Sequence, residues 1–336
     1  MSAGAPQAWL DEVNEPIIDP DRRICDPHHH LWDHPQSRYC LDEILLDTNS
    51  GHRVVATVFV ECDAMFRARG PKSMQPIGET EFVNGIAAMS ASGAYGETQV
   101  AAGIVGYADL NLGSAVGEVL DAHMAITQRF KGIRHAAGWD ASPEIRNSHS
   151  IPTARMLASK RFREGFTQLG TRGLSFDCWL YHPQLTELID LAQAFPDTTI
   201  ILNHFGGPLG IGPYAGQRAS IYAQWCKDIK RLAQCPNVVV KLGGLLMAVN
   251  GFGFHKAAQP PTSDALVTAT QDWYHTAIDA FSPQRCMFES NFPVDKVSTS
   301  YHVLWNFFKK IAAGYSTAER DALLCDNAMR VYRLVE

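Results

Sequence analysis

The sequence contains no apolar run that approaches the roughly 20 residues a helix needs to cross a bilayer. Its N-terminal stretch, MSAGAPQAWLDEVNEP, lacks the basic segment followed by an apolar one that marks a secretory signal peptide. Basic residues are also in the minority, 29 against 35 acidic ones, and no basic cluster stands out. These absences exclude nucleic acid and an anionic membrane as main partners, and they predict a soluble protein of the cytoplasm.

Paired cysteines and a nucleotide-binding glycine motif are absent too. The 8 cysteines are scattered, with no C-x-x-C pair, so in a chain of this size they are predicted to be reduced thiols packed as small apolar side chains. No G-x-G-x-x-G follows the first predicted strand, which argues against a dinucleotide-binding sheet. Nor does a linker or low-complexity segment divide the 336 residues, and we predict one folded domain.

Eight short apolar runs alternate with longer amphipathic segments. The predicted strands lie at 23–29, 54–61, 100–110, 130–136, 173–180, 198–206, 237–244 and 285–291. The predicted helices lie at 78–92, 114–128, 152–169, 183–195, 216–234, 263–281, 298–313 and 317–333. Continuous apolar strands alternating with helices indicate a (β/α)8 TIM barrel over residues 23–336, preceded by a polar N-terminal arm over residues 1–22. A doubly wound open sheet is the alternative.

Ionisable and polar side chains cluster at the ends of the predicted strands, where the active sites of such barrels lie. They are His28, His30, Glu61, Asp109, Arg134, His135, Asp177, His182, His204, Lys241, Glu289 and Asn291. A purely structural barrel has no reason to repeat this placement at strand after strand. The pattern therefore predicts an enzyme.

The run Asp26-Pro27-His28-His29-His30 ends the first strand. Because side chains alternate along a strand, His28 and His30 share one face, while His29 points to the other and is interpreted as structural. Two imidazoles on one face can bind a metal ion or polarise a substrate oxygen.

Four further side chains are predicted to bind substrate, and a fifth to take part in catalysis. Arg134 offers forked donors for a carboxylate or an oxyanion. Trp179 and Lys241 lie near the ends of the fifth and seventh strands, and His182 lies just beyond the fifth. Asp177 shares a face with Trp179, and a carboxylate facing the barrel interior is costly unless it is paired or functional. The alternative interpretation of Arg134 is a salt bridge that joins neighbouring strands, and that of Lys241 is an ion pair with Glu61.

Four stretches resemble the amidohydrolase-related superfamily, in particular its lactonase-like branch, which includes 2-pyrone-4,6-dicarboxylate lactonase and the L-fucono- and L-rhamnonolactonases. They are ICDPHHHLWD at 24–33, FKGIRHAAGW at 130–139, IILNHFGGPLG at 200–210 and RCMFESNFPVDK at 285–296. The resemblance implies a TIM barrel, a hydrolase and, in many members, one divalent metal ion, although some lactonases work without a metal. His204 matches the histidine of the family's sixth strand, so His28, His30 and His204 become the expected ligands, for zinc by ligand type or for manganese or magnesium.

One departure from the family pattern affects catalysis. The family ends its eighth strand with Gly-Ser-Asp-Trp-Pro, whereas this chain has Glu289-Ser290-Asn291-Phe292-Pro293. An amide at position 291 can accept a hydrogen bond but cannot take a proton from water. Glu289 lies on the same face of the strand and is expected to supply the missing carboxylate, so Glu289 and Asn291 join the predicted catalytic residues.

The sequence thus predicts that water attacks a carbonyl carbon in a small cyclic ester, such as a lactone, or in a related carboxylate-bearing molecule. His28 and His30, with a metal ion or Arg134, would polarise the carbonyl oxygen. Glu289 or Asp177 would take the proton. Two alternatives are metal-dependent decarboxylation of an aromatic or unsaturated acid, and a non-catalytic barrel that binds a small molecule.

Overall fold

The computed structural model describes residues 4–335 and contains one sheet of eight parallel strands together with a short hairpin. The sheet strands are β1 Arg23–His29, β4 Arg53–Val60, β5 Gln99–Gly106, β6 Phe130–Arg134, β7 Ser175–Cys178, β8 Ile200–Leu202, β9 Val238–Leu242 and β10 Cys286–Phe288. They lie side by side in chain order, each parallel to the next. The hairpin joins β2 Trp32–His34 to β3 Ser37–Tyr39. The predicted eight-stranded barrel is confirmed.

The barrel closes beyond the last strand. The backbone N–H of Asn291 donates to the carbonyl of His28 at 2.9 Å, and the N–H of His30 donates to the carbonyl of Phe292 at 2.8 Å. The segment that follows β10 therefore lies against the end of β1, which brings the first and last motifs of the sequence together.

Helices surround the sheet. They are α1 Gln7–Leu10, α2 Leu41–Thr48, α3 Ile77–Ala91, α4 Val116–Ile126, α5 Lys160–Gly170, α6 Leu185–Ala194, α7 Arg218–Leu232, α8 Ser263–Phe281, α9 Tyr301–Ile311, α10 Thr317–Asp321 and α11 Asn327–Val331, with a π-helical turn at Ala322–Asp326 between the last two. None of these helices is long and apolar enough to span a bilayer, within the described residues. All eight cysteines are free thiols.

Both faces of the sheet are apolar, and alternation along the strands separates two packed layers. Outward-facing side chains such as Ile200 and Phe288 join the large core beneath the helices. Inward-facing ones such as Ile201, Val239 and Met287 form a smaller cluster that Tyr332 covers from below. The same alternation points Lys241 and Glu289 inward, two residues after Val239 and Met287.

The described part of the N-terminal segment, residues 4–22, is held against α8 and α9. Asn306 Oδ1 accepts a hydrogen bond from the N–H of Ile18 at 2.9 Å, and Glu15 accepts one from the N–H of Ser263 at 2.7 Å. Lys309 donates to the carbonyl of Asp19 at 2.7 Å. Residues 1–3 of the predicted arm lie outside the described residues, and the domain boundary at residue 22 stays a prediction.

Candidate active site

The histidines at the end of β1 are oriented as the alternation predicts. His28 and His30 lie on one side, with ring centres 5.0 Å apart. His29 points away from them, where its Nε2 lies 2.9 Å from the hydroxyl of Thr57 and its ring packs on Phe59. His29 is thus held by the barrel wall, and the other two face the interior.

Glu289 connects two of the predicted histidines. Its side chain is fully buried, and Oε1 accepts a hydrogen bond from His204 Nδ1 at 2.6 Å. Oε2 lies 2.7 Å from His28 Nδ1 but makes no hydrogen bond within the part of the chain that the structure describes. Burial raises the pKa of Glu289 to about 8. The imidazole from the first strand and the carboxylate from the last one therefore meet, as the sequence predicts.

The backbone permits this contact because two residues adopt left-handed conformations. His204 has φ of 52°, and Gly244, at the end of the neighbouring strand, has φ of 75°. A Cβ atom at position 244 would lie 2.4 Å from His204 Nδ1. Only glycine leaves the imidazole enough space to reach Glu289.

Lys241 and Asp177 form a buried ion pair below Glu289 and do not line the cavity. Lys241 Nζ donates to Asp177 Oδ1 at 2.7 Å, and the same carboxylate accepts from Asn203 at 3.0 Å and from the hydroxyl of Tyr332 at 2.9 Å. Lys241 Nζ also lies 3.3 Å from His28 Nδ1. With its oxygens occupied by three donors, Asp177 is a poor base for a substrate water, and Lys241 supports the site from beneath.

Arg134 belongs to a second buried cluster with Glu61 and His149. Its Nε donates to Glu61 Oε1 at 2.6 Å, its Nη2 donates to the Glu61 carbonyl, and its Nη1 lies 3.3 Å from His28 Nε2. His149 Nε2 is 2.8 Å from Glu61 Oε2. Burial raises the pKa of Glu61, but the positive charges of Arg134 and His149 outweigh this and hold that pKa at about 2. Glu61 is therefore an anion that fixes the guanidinium.

A cavity of about 680 Å³ opens above these groups. Of the predicted site residues, His30, Arg134, Trp179, His204 and Asn291 line it. Because His28, Glu289, Asp177 and Lys241 are fully buried and lie outside its lining, we assign them to a layer beneath the cavity floor.

Two predicted residues have structural partners. The amide of Asn291 donates to Asp295 Oδ1 at 3.1 Å. His182 lies outside the cavity lining, where its Nδ1 accepts from the N–H of Leu209 at 3.2 Å and its ring packs on Tyr214. His182 therefore holds the loop after β8, and a direct contact between its ring and a substrate stays a prediction.

Sequence reasoning missed the loop that follows β6. Arg146 and His149, from residues 140–155, line the cavity, as do Met247 and Val249 from the loop after β9. The available signal was the polar stretch RNSHS at 146–150, since loops after barrel strands build the site. Tyr181 anchors this loop by donating its hydroxyl to the carbonyl of Arg146.

The imidazoles of the site are neutral at ordinary pH. Burial lowers the pKa of His28, His30 and His204 well below 6.5, and the nearby positive charges lower it further. His30 Nδ1 is 2.8 Å from the carbonyl of Val60, so this nitrogen carries the proton and Nε2 keeps its lone pair. His204 Nδ1 donates to Glu289, which leaves its Nε2 unprotonated in the same way.

One group of three potential metal ligands stands out within the described residues, namely His28, His204 and Glu289, whose ligand atoms lie within 4.8 Å of one another. The third potential ligand is therefore Glu289, whereas the sequence predicted His30 in that role. Two imidazoles and a carboxylate suit zinc, and the unpartnered Glu289 Oε2 is a free ligand atom. The donor set fits a divalent ion, although Lys241 and Arg134, each 3.3 Å from a nitrogen of His28, weaken its binding by repulsion.

The contact between His149 and Glu61 predicts a pH-dependent contribution to stability. The negative charge of Glu61 raises the pKa of His149 above 6.5. The stabilisation is therefore complete below pH 6.5 and is lost as the pH rises through the raised pKa. The free energy of unfolding should differ more between wild type and His149→Gln at about pH 6 than at about pH 9. Urea unfolding at both pH values measures this difference, and an equal difference at both contradicts the ion pair. His275→Gln, which removes a ring beside the Tyr315 hydroxyl, is the control.

A model of the amidohydrolase family matches residues 25–334. The chain therefore belongs to this family, and it is a hydrolase of the amidohydrolase superfamily. The uncharacterised protein y4mH of Sinorhizobium fredii is 35% identical over 338 residues, covering 94% of this chain and 99% of that protein.

One lactonase is similar to this chain in sequence, and a solved amidohydrolase structure shares its fold. L-fucono-1,5-lactonase of Burkholderia multivorans is 28% identical over 176 residues, covering 52% of this chain and 56% of that enzyme. The crystal structure of an amidohydrolase from Burkholderia multivorans with bound zinc superposes with a TM-score of 0.70 at 22% identity, covering 93% of this chain and 99% of that one. The resemblance to the lactonase-like branch is thereby confirmed.

Proposed function

We propose that this hydrolase opens a lactone or a related small cyclic ester by attack of water on its carbonyl carbon. The observation that carries the proposal is the pair formed by His204 and Glu289 at the floor of the cavity. The carboxylate holds Nδ1 of the imidazole at 2.6 Å and so leaves Nε2 as the basic atom available to the cavity. The similarity to a lactonase supports a cyclic ester as the substrate class.

In this proposal His204 takes a proton from the attacking water, and Glu289, which is ionised above its raised pKa of about 8, stabilises the imidazolium that forms. Glu289 itself is fully buried below the cavity, so it acts through His204. This differs from the sequence expectation, in which Glu289 or Asp177 takes the proton directly. Trp179, whose ring is perpendicular to that of His204 with centres 4.9 Å apart, fixes the orientation of the imidazole.

Arg134 is the group best placed to polarise the carbonyl. Glu61 fixes its guanidinium through Nε and Nη2, and the remaining N–H groups can donate to an oxyanion. Preorganised donors of this kind contribute a few kcal/mol each. His30 presents a lone pair at Nε2, which suits it to accept a hydrogen bond from a substrate hydroxyl or from water.

A divalent ion would be held by His28, His204 and Glu289. When bound, it would occupy the lone pair of His204 that otherwise serves as the base, and it would supply a Lewis acid that lowers the pKa of water instead. The zinc in the related amidohydrolase structure supports this possibility. We expect protein purified without chelator to carry less than one equivalent of zinc, because two fixed cations oppose it. The Glu289→Gln variant should lose this metal, which elemental analysis measures. Unchanged metal content in the variant contradicts this ligand set, and full occupancy in wild type contradicts the repulsion by the two cations.

A substrate panel tests the proposed reaction. Wild-type protein should hydrolyse at least one of a set of sugar-acid and unsaturated γ- and δ-lactones, which a pH indicator detects because ring opening releases a proton. Aromatic and unsaturated carboxylic acids, assayed for release of carbon dioxide, form the second arm. Decarboxylation without lactone opening would replace the proposal with the alternative reaction, and turnover in neither arm contradicts it.

A further inference from the structure

A second, smaller cavity of about 160 Å³ lies between the loops that follow β8 and β9, at the start of α7. Its walls include Tyr214, Phe252 and Trp273, and it shares no lining residue with the main cavity. The backbones of the two loops are joined next to it, where the N–H of Gly210 donates to the carbonyl of Val249 at 2.9 Å. Because Val249 lines the main cavity, a thin wall separates the two spaces.

Asn250 lines this second cavity with a side chain that has no partner among residues 4–335. The residue is 2% exposed, and neither its Nδ2 nor its Oδ1 makes a hydrogen bond to any of them. Buried side-chain amides are nearly always hydrogen-bonded in folded proteins. An occupant that both accepts and donates, as a hydroxyl group does, would satisfy this amide.

Arg218 supplies a positive charge at the same cavity. Its guanidinium lies 3.8 Å from the centre of the Phe252 ring, and Nη2 donates to the carbonyl of Gly251 at 3.0 Å. No carboxylate within residues 4–335 forms an ion pair with it, whereas many other arginines of the chain have one. Phe252 and Gly251 thus hold a guanidinium whose remaining N–H groups are available to an anion.

The first turn of α7 favours an anion too. The helix runs from Arg218 to Leu232, with no side-chain cap at Gln217 and no acidic residue in its first turn. Its free backbone N–H groups and its dipole therefore attract negative charge at the end that lines the cavity.

We propose that this cavity is a second binding site, for a small 2-hydroxycarboxylate. The carboxylate binds Arg218 and the first turn of α7, and the hydroxyl group binds the amide of Asn250. Opening the lactone of a sugar acid yields a carboxylate that carries a 2-hydroxyl group, so the site suits one end of such a product, a link that rests on the proposed function. Occupancy would stiffen Ala248 and Val249, which precede Asn250 and line the main cavity.

Glycolate is the probe, with acetate as the comparison that lacks the hydroxyl group. Crystals of the full chain soaked in glycolate should show it between Arg218 and Asn250. In calorimetric titration, Arg218→Met should weaken binding at this site about tenfold or more, and Asn250→Leu should remove the preference for glycolate over acetate. Lys230→Met, which removes an exposed charge from the other end of α7, is the matched control and should bind as wild type does.

Two outcomes would overturn the proposal. One is a cavity that holds only ordered water in the soaked crystals, and the other is a glycolate affinity that neither variant changes. Arg218 is exposed, so its variant remains informative even where Asn250→Leu fails to fold. A protein that binds glycolate in this cavity but opens no lactone contradicts only the proposed function. A protein that opens a lactone but does not bind glycolate in this cavity contradicts only the second site.

Discussion

Replacing His204 by asparagine should lower kcat for the best lactone substrate by about 10²–10⁴-fold, the usual contribution of a general base. Asparagine is chosen because its amide can occupy the place of Nδ1 and donate to Glu289, while the lone pair at Nε2 is lost. It also tolerates the left-handed backbone at this position, where φ is 52°. KM should change little, since most contacts to the substrate remain. Steady-state kinetics on the purified variant measures both constants.

The control for this variant is His123→Gln. His123 is also a buried, hydrogen-bonded imidazole, held between the hydroxyl of Thr80 and the carbonyl of Tyr107, but it lies outside the cavity lining. Its variant should keep the wild-type kcat. A His204→Asn enzyme that retains more than about a tenth of the wild-type kcat contradicts the role of base. If His204 acts only as a metal ligand, added zinc should restore the activity of the variant. If His204 is the base, added zinc should leave the lowered activity unchanged.

Most of the barrel could be predicted from the sequence because its strands carry a simple signal. Continuous apolar runs gave β1 the correct bounds and placed the other sheet strands within a few residues. The predicted strands were often too long at their carboxyl ends, as at β8, which ends at Leu202. There His204 leaves the strand and points into the site, and Gly206 lies in the turn that His204 begins. The hairpin of β2 and β3 was not predicted, since each strand has only three residues.

The depth of the side chains could not be predicted. The alternation of side chains along β9 and β10 correctly predicts that Lys241 and Glu289 point into the barrel. This alternation tells which side of the sheet a side chain lies on, but it does not tell how far the side chain lies from the mouth of the barrel. Glu289, predicted as a base in contact with water, lies under His204. Asp177 is lower still, beside Tyr332 from the C-terminal end of the chain. Such pairings between distant segments depend on tertiary packing, and no local pattern encodes them.

The Lys241→Met variant should lose about 3–5 kcal/mol of the free energy of unfolding, the typical cost of removing one partner of a buried ion pair. Both side chains are fully buried, so the Asp177 carboxylate would keep only its bonds to Asn203 and Tyr332. The double variant Lys241→Met/Asp177→Asn removes both charges, and asparagine retains an acceptor for these two donors. We therefore expect it to recover most of the lost stability. Urea unfolding of the wild type, both single variants and the double variant gives the coupling energy. Additive losses, or a Lys241→Met variant within about 1 kcal/mol of wild type, contradict a charged pair at the base of the barrel.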